Sequence, residues 1–246
     1  MENGNVMERQ NEELRRINAE LDRFVYSASH DLRAPLMSVK GLLNMIKLDA
    51  EKKNTDLYLA LIEKSVGRLD NFITDIIQYS RNTRTDVEDK EIDVATLLQE
   101  SLETLRFMEG AEHVRSTHYM DIRAPFYSDP SRLLMVFNNI ISNAVRYRNS
   151  ARQDSFLDVN ISVDSARARI SFTDNGIGIP AEYQEAIFDM FFRVSGEGQG
   201  SGLGLYIVKD AVTRLHGTVN VQSVPGKGTT FMVEIPNQLG QARLQA

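Results

Sequence analysis

No cysteine occurs among the 246 residues, so disulfides, thiolate metal sites and thiol nucleophiles are excluded, a usage compatible with a reducing compartment. Histidine is nearly as scarce: four scattered copies argue against an imidazole metal cluster. No run of about 18 apolar residues is available to span a bilayer. Met1 is followed by Glu2, Asn3 and Gly4 rather than by a basic and then apolar signal segment. Basic charge is not in excess either, since 28 Lys and Arg stand against 34 Asp and Glu for a net charge of -6. Nucleic acid is therefore not an expected partner, because neutralising phosphates takes a concentrated basic face. These absences describe a chain soluble and cytoplasmic in character. What it does have is 42% hydrophobic residues, enough to build the cores of two small domains.

The apolar residues are first arranged with helical spacing. From about Glu8, Leu14, Ile17, Leu21, Phe24 and Ala28 recur at intervals of three and four, a coiled-coil seam that continues through Leu32, Leu36, Val39, Leu43 and Ile46. The polar stretch from Asp49 to Asn54 interrupts it. Ile62, Val66, Leu69, Ile73 and Ile76 then mark a second helix ending near Arg81. Such a hairpin cannot bury both stripes alone, so a homodimeric four-helix bundle is expected.

Beyond a polar linker from Asn82 to Lys90 the texture changes. Helices are expected at Val94 to Phe107, Pro130 to Tyr147 and Leu203 to Leu215. Strands are expected at Leu157 to Val163, Ala168 to Asp174, Thr218 to Ser223 and Thr229 to Ile235, the last two joined by the turn Pro225-Gly226-Lys227-Gly228. This half reads as an α/β sandwich, an antiparallel-rich sheet covered by helices on one face. The fold class of the whole is α+β, divided as 1–22 N-terminal signalling helix, 23–84 hairpin, 91–237 sandwich domain and 238–246 tail.

His30 lies roughly 200° round the first helix from both Ala28 and Leu32, so it projects away from the seam. An exposed neutral imidazole is a usable nucleophile near neutral pH. Asp31 beside it is suited to accept the other ring proton and to offset charge at the nucleophile. Pro35 lacks the N–H that would bond the Asp31 carbonyl, so the helix is expected to bend there. The run Ser29-His30-Asp31-Leu32-Arg33-Ala34-Pro35-Leu36 resembles the H-box of HisKA-type histidine kinases. The resemblance implies that His30 is the phosphoacceptor and that Asp31 assists. Where the family often carries Thr or Asn, implicated in dephosphorylating the partner, this chain has Ala34.

Four later segments keep the order and spacing of that family's ATP-binding domain. Asn139, Asn143 and Arg146 share a helix face, and Asn139-Ile140-Ile141-Ser142-Asn143-Ala144-Val145-Arg146-Tyr147 looks like the N-box. By resemblance Asn143 is the Mg²⁺ ligand, Asn139 supports it, Arg146 stands where Lys usually meets phosphate, and Tyr147 packs near the adenine. Asp174-Asn175-Gly176-Ile177-Gly178 follows a strand and resembles the G1 box. A carboxylate only accepts hydrogen bonds, so Asp174 suits the adenine amino group, while Gly176 and Gly178 permit close approach. Phe188-Asp189-Met190-Phe191-Phe192-Arg193 is similar to the F-box flanking the ATP lid, with Phe191 and Phe192 as lid anchors and Arg193 a candidate phosphate contact. Gly198-Gln199-Gly200-Ser201-Gly202-Leu203-Gly204-Leu205 matches the G2 box. In it Gly200, Ser201, Gly202, Leu203 and Gly204 lead into a helix N-terminus, whose free N–H groups receive phosphate.

Together these segments are similar to a sensor histidine kinase transmitter with a Bergerat-type ATP-binding fold. The resemblance implies autophosphorylation of His30 from Mg-ATP, a homodimer, a response regulator receiver domain as the next acceptor, and a sensor domain upstream that is absent from this chain and that could tether it to a membrane. Two rival readings are a conformational ATPase of the same nucleotide-binding superfamily and a pseudokinase scaffold. His30 on its hairpin argues against the first, and Asn143, Asp174 and the glycine loop argue against the second.

Overall fold

The structure, a computed structural model, describes residues 2–49, 53–194 and 200–239. The chain divides into two compact units, Met1–Asp75 and Ile76–Ala246.

The first unit is a pair of helices, α1 (Glu2–Leu48) and most of α2 (Thr55–Arg84). α1 runs unbroken through Pro35. The two helices meet where the Ser65 hydroxyl, which donates to the Leu61 carbonyl at 2.9 Å, lies 3.4 Å from Ser38 Oγ. Ala28 and Phe72 are buried beside this seam, whereas Leu21, Leu36, Leu43, Val66 and Ile73 of the expected stripe are exposed. The seam side chains of Leu14 and Ile17 lie outside the described residues.

The second unit is built on a five-stranded sheet of β2 (Arg115–Ile122), β4 (Phe156–Val163), β5 (Arg167–Asp174), β6 (Thr218–Val224) and β7 (Gly228–Pro236), ordered β2-β4-β5-β7-β6. β2 runs parallel to β4 and every other pair is antiparallel. Alternate residues of β4, β5 and β7 face the core, as period-two burial requires. There they meet α4 (Pro130–Arg146) and α5 (Gly204–Arg214), flanked by α3 (Val94–Leu105). The contact is aromatic at its centre, with Phe137 of α4 edge-on to Phe172 of β5 at 5.1 Å between ring centroids. β1 (Lys90–Glu91) and β3 (Tyr127–Ser128) form a separate short ladder.

Asp93 caps α3 through the N–H groups of Ala95 and Thr96, and Asp129 caps α4 through that of Arg132, with Pro130 at the first helical position. Asp129 and Arg132 are both buried and paired. The guanidinium also donates to the carbonyls of Asn82 at 3.1 Å, Thr85 at 2.6 Å and Asp86 at 3.2 Å. These contacts correct the polar-linker expectation at one end. α2 continues to Arg84, and Asn82 is buried with its amide donating to Asp210 of α5 at 2.7 Å.

Candidate active site

In the hairpin unit His30 stands on α1 with 72% of its side chain exposed, and its Nδ1 lies 3.1 Å from Oδ1 of Asp31. An ionised carboxylate can only accept, so this contact selects the tautomer protonated at Nδ1. The lone pair is then on Nε2, free toward solvent. Ala34, one turn further along the helix, is exposed.

In the second unit the glycine segments converge on the C-terminal half of α4. A Cβ added at Gly204 would lie 2.8 Å from Oδ1 of Asn139, and one at Gly200 would lie 3.4 Å from a guanidinium nitrogen of Arg146 and 3.8 Å from the Tyr147 hydroxyl. One at Gly176 would strike the Tyr147 carbonyl at 2.5 Å. Two segments far apart in sequence therefore approach this helix and its C-cap, with the closest contacts at Gly176 and Gly204, where an added Cβ would leave too little room. Asn139 Nδ2 donates to the Met135 carbonyl at 2.9 Å, which turns Oδ1 toward the start of α5. The Asn143 amide and the Arg146 guanidinium have no hydrogen bond or ion pair among the described residues. An amide oxygen and a cation are thus uncommitted beside a loop opening into a helix N-terminus, which is an anion-binding arrangement.

Gly202, at φ +72°, packs its Cα side against the backbone of Phe191, whose N–H donates to the Gly202 carbonyl at 3.0 Å. Phe191 itself has φ +64°, unusual for a bulky residue. Phe192 packs on the core with its ring 5.8 Å from that of Tyr183. Arg193 is half-buried. Leu203 is fully buried, and its N–H is taken by Ser201 Oγ at 3.1 Å. Its side chain thus belongs to the core, and the free N–H groups are those of the first turn beginning at Gly204. Gly198 and Gln199 lie outside the described residues.

Asp174 ends β5, with Oδ1 accepting the Gly176 N–H at 2.8 Å. Burial pushes its carboxyl above the ordinary value, opposed by N–H donation from Gly176 and Thr229. The Ile177 N–H donates to the Tyr147 carbonyl at 3.0 Å and the Ile177 carbonyl accepts from Gly226 at 2.7 Å. Gly178, at φ +71°, sits against the Val224 carbonyl. Thr229, expected only as the start of the last strand, donates its N–H to Asp174, and Arg152 and Asn175, to which the sequence assigns no role, hold the chain behind Asp174. A signal for Asn175 was present in a polar amide set directly at a strand end. Among the described residues no group of three or more His, Cys, Asp or Glu side chains could hold a metal ion, and no helix is long and apolar enough to cross a membrane.

Comparison with known families places both units. Residues 20–85 match the His Kinase A (phospho-acceptor) domain, and residues 128–239 match the histidine kinase-, DNA gyrase B- and HSP90-like ATPases. The chain has the transmitter architecture of the sensor histidine kinases. Cyanobacterial phytochrome B of a Nostoc species is 32% identical to this transmitter over 232 residues, which cover 90% of the chain and 30% of that protein. The methanogenesis regulatory histidine kinase FilI of Methanothrix harundinacea is 28% identical, covering 89% and 25%. Among solved structures, full-length ShkA in complex with AMPPNP is 27% identical with a TM-score of 0.61, over 85% of this chain and 44% of that one. The transmitter thus spans about a quarter to a third of the length of these two curated relatives.

Proposed function

We propose that this transmitter, divided as a signalling helix over 1–22, a phosphoacceptor hairpin over 23–84, an ATP-binding domain over 91–237 and a tail over 238–246, binds Mg-ATP in the Ile76–Ala246 unit and phosphorylates His30 as a homodimer, then yields the phosphoryl group to an aspartate of a separate response regulator. The observation that carries the reading is the glycine-walled cleft, where Gly176, Gly200 and Gly204 close on Tyr147, Arg146 and Asn139. Asp174 there accepts from the adenine amino group, Tyr147 lies beside the base, Arg146 and the first turn of α5 hold phosphate oxygens, and Arg193 adds a cation. A fit to magnesium rests on Asn143, whose uncommitted amide offers the hard oxygen that this ion prefers. Held there by Asn143, a magnesium ion would supply positive charge to offset that developing on the phosphate.

Transfer is then a displacement at phosphorus. Nε2 of His30 supplies the electron pair for the new N–P bond, the bond from the γ-phosphorus to the bridging oxygen breaks, and ADP leaves with that electron pair. Asp31 holds the Nδ1 proton and offsets the positive charge on the ring. The Ala34 side chain has no polar atom with which to orient water, so this helix face supports donation of the phosphoryl group rather than its hydrolysis. The complex of the kinase ThkA with the response regulator protein TrrA, 21% identical with a TM-score of 0.71, shares this fold and accords with a receiver as the next acceptor.

The test is labelling with γ-³²P-ATP and Mg²⁺, which should give an acid-labile, base-stable phosphoprotein. His30→Gln should abolish the label and leave ATP binding intact, and Asn143→Ala should abolish both. Persistent label in His30→Gln would overturn the assignment. Steady release of phosphate from unlabelled protein would favour the conformational ATPase instead.

A further inference from the structure

The end of β5 departs from regular strand geometry in one respect that the binding of a nucleotide does not by itself require. Asp174 is the last residue of β5 in register with β4, opposite Leu157. Had the ladder continued, the backbone of residue 175 would have faced Phe156. Instead the Asn175 side chain takes that place: its Oδ1 accepts the Phe156 N–H at 2.9 Å and its Nδ2 donates to the Asp154 carbonyl at 2.8 Å. One partner is a fixed donor and the other a fixed acceptor, so the orientation of the amide is determined by them. Asn175 is buried, and its side chain acts as a peptide unit of the sheet.

The consequence is that the backbone is released to turn. The Asn175 carbonyl accepts from Arg152 at 3.3 Å, the Gly176 N–H returns to Asp174 Oδ1 at 2.8 Å, and the Ile177 N–H reaches the Tyr147 carbonyl at 3.0 Å. Gly228 closes the turn from below, since a Cβ there would lie 1.9 Å from the Asp174 carbonyl and 2.6 Å from Asn175 Cα. A carboxylate that reads a base has to stand at a defined point, and a loss of a few tenths of an ångström in position costs hydrogen-bond geometry. Asp at position 175 would keep the acceptor and lose the donor. Gln would be longer by a methylene, and Leu would leave both backbone groups unpaired.

We infer that Asn175 is a positioning residue for base recognition. By continuing the sheet with its side chain it fixes where the Asp174 carboxylate stands, and so sets the preference for adenine over guanine. This rests on the proposed adenine contact of Asp174. Arg152, partly exposed and bonded to the carbonyl of the same residue, supports the turn from outside the core.

The experiment uses the full chain and measures Kd for ATP and for GTP by calorimetry, with KM and kcat for His30 labelling. Asn175→Asp should raise Kd and KM for ATP roughly tenfold, the loss of about one buried hydrogen bond, and narrow the ATP-over-GTP ratio. At saturating ATP its kcat should stay near the wild-type value. Arg152→Ala, which leaves the core untouched, should move the same two quantities in the same direction by roughly two- to threefold, so the inference stays testable should Asn175→Asp fold poorly. A wild-type nucleotide preference in both variants, with no more than a lowered melting temperature, would overturn the inference. Asp174→Asn separates the two levels. If it erases the preference and the Asn175 and Arg152 variants do not, the positioning role alone is wrong. If Asp174→Asn leaves the preference intact, the adenine reading fails and takes the positioning role with it.

Discussion

Val66 and Val224 are each 51% exposed, yet they belong to units made in opposite ways. Around Val224 the sheet and its helices bury a continuous apolar core, from Leu98 and Phe137 through Ile161 and Phe172 to Ile235. Among the described residues of Met1–Asp75, burial is confined to Ala28, Ser65 and Phe72. The second unit satisfies its own hydrophobic surface, and the first leaves half of a helical stripe in water. An isolated exposed valine needs no explanation, but a row of Leu21, Leu36, Leu43, Val66 and Ile73 along two packed helices does. The sheet unit is thus a self-sufficient frame, in keeping with the nucleotide proposed for it, and the hairpin leaves exposed an apolar row that the proposed homodimer would cover.

The largest expected effect probes the rigid side. Gly228→Ala would place a methyl 1.9 Å from the Asp174 carbonyl at a φ of +122°, which neither rotation nor a side-chain shift relieves. Urea unfolding should show the transition of the sheet unit destabilised by about 4 kcal/mol or more, with ATP affinity lost and the hairpin transition unmoved. A shift of both transitions together would show that the two units are not independent in stability.

The middle effect tests the contrast itself. Val66→Thr and Val224→Thr add the same hydroxyl at the same nominal exposure. The Val224 change should lie within about 0.5 kcal/mol of wild type, as surface changes do. The Val66 change should cost about 1–3 kcal/mol per site, because in the proposed dimeric bundle the hydroxyl would be desolvated without a partner. The hairpin melting temperature should also rise with protein concentration, as binding linkage requires. Equal, negligible costs and a concentration-independent melt would dissolve the distinction between the units.

The legibility of each unit in the sequence follows from where its information lies. Helical stripes and apolar alternation are local, so α4, α5 and strands β4 to β7 could be read almost to their observed ends, whereas α1 begins at Glu2 and α2 spans Thr55–Arg84, both reaching beyond the apolar stripes that announce them. The outward direction of His30 followed from a spacing of two residues against Ala28 and Leu32. β2 escaped because Arg115-Ser116-Thr117-His118-Tyr119-Met120 is an exposed edge strand with no apolar alternation, held by pairing with β4. Asn82 read as linker because what buries it, Asp210 and Arg132, comes from 128 and 50 residues away. The left-handed backbone of Phe191 occurs where its N–H bonds the Gly202 carbonyl and has no signature in its own side chain. The cleft residues were legible as motifs, whereas Asn175 and Arg152 act by holding the backbone of those motifs, and any polar residue at a strand end carries the same local signal.

The smallest effect concerns charge at the base of the cleft, and its sign separates stability from binding. Burial raises the Asp174 carboxyl above its ordinary value, so the folded unit holds this proton more tightly than the unfolded chain does. A raised carboxyl favours the folded state fully only below its unfolded pKa, and that advantage is lost as pH rises through the folded value. At neutral pH the ionised Asp174 therefore weakens the nucleotide-free unit. Asp174→Asn, neutral and nearly the same size, should raise the melting temperature of the unliganded protein at pH 7 by a few degrees at most, and the gain should vanish on acidification. ATP binding should respond oppositely, since the adenine amino group needs the ionised carboxylate. Affinity of the wild type should fall as pH drops through the raised value, at a higher pH than for an ordinary aspartate, and Asp174→Asn should flatten that dependence. A stabilising effect of Asp174→Asn that persists at acid pH would show that packing rather than charge is responsible, and the sheet unit would then differ from the hairpin in shape alone.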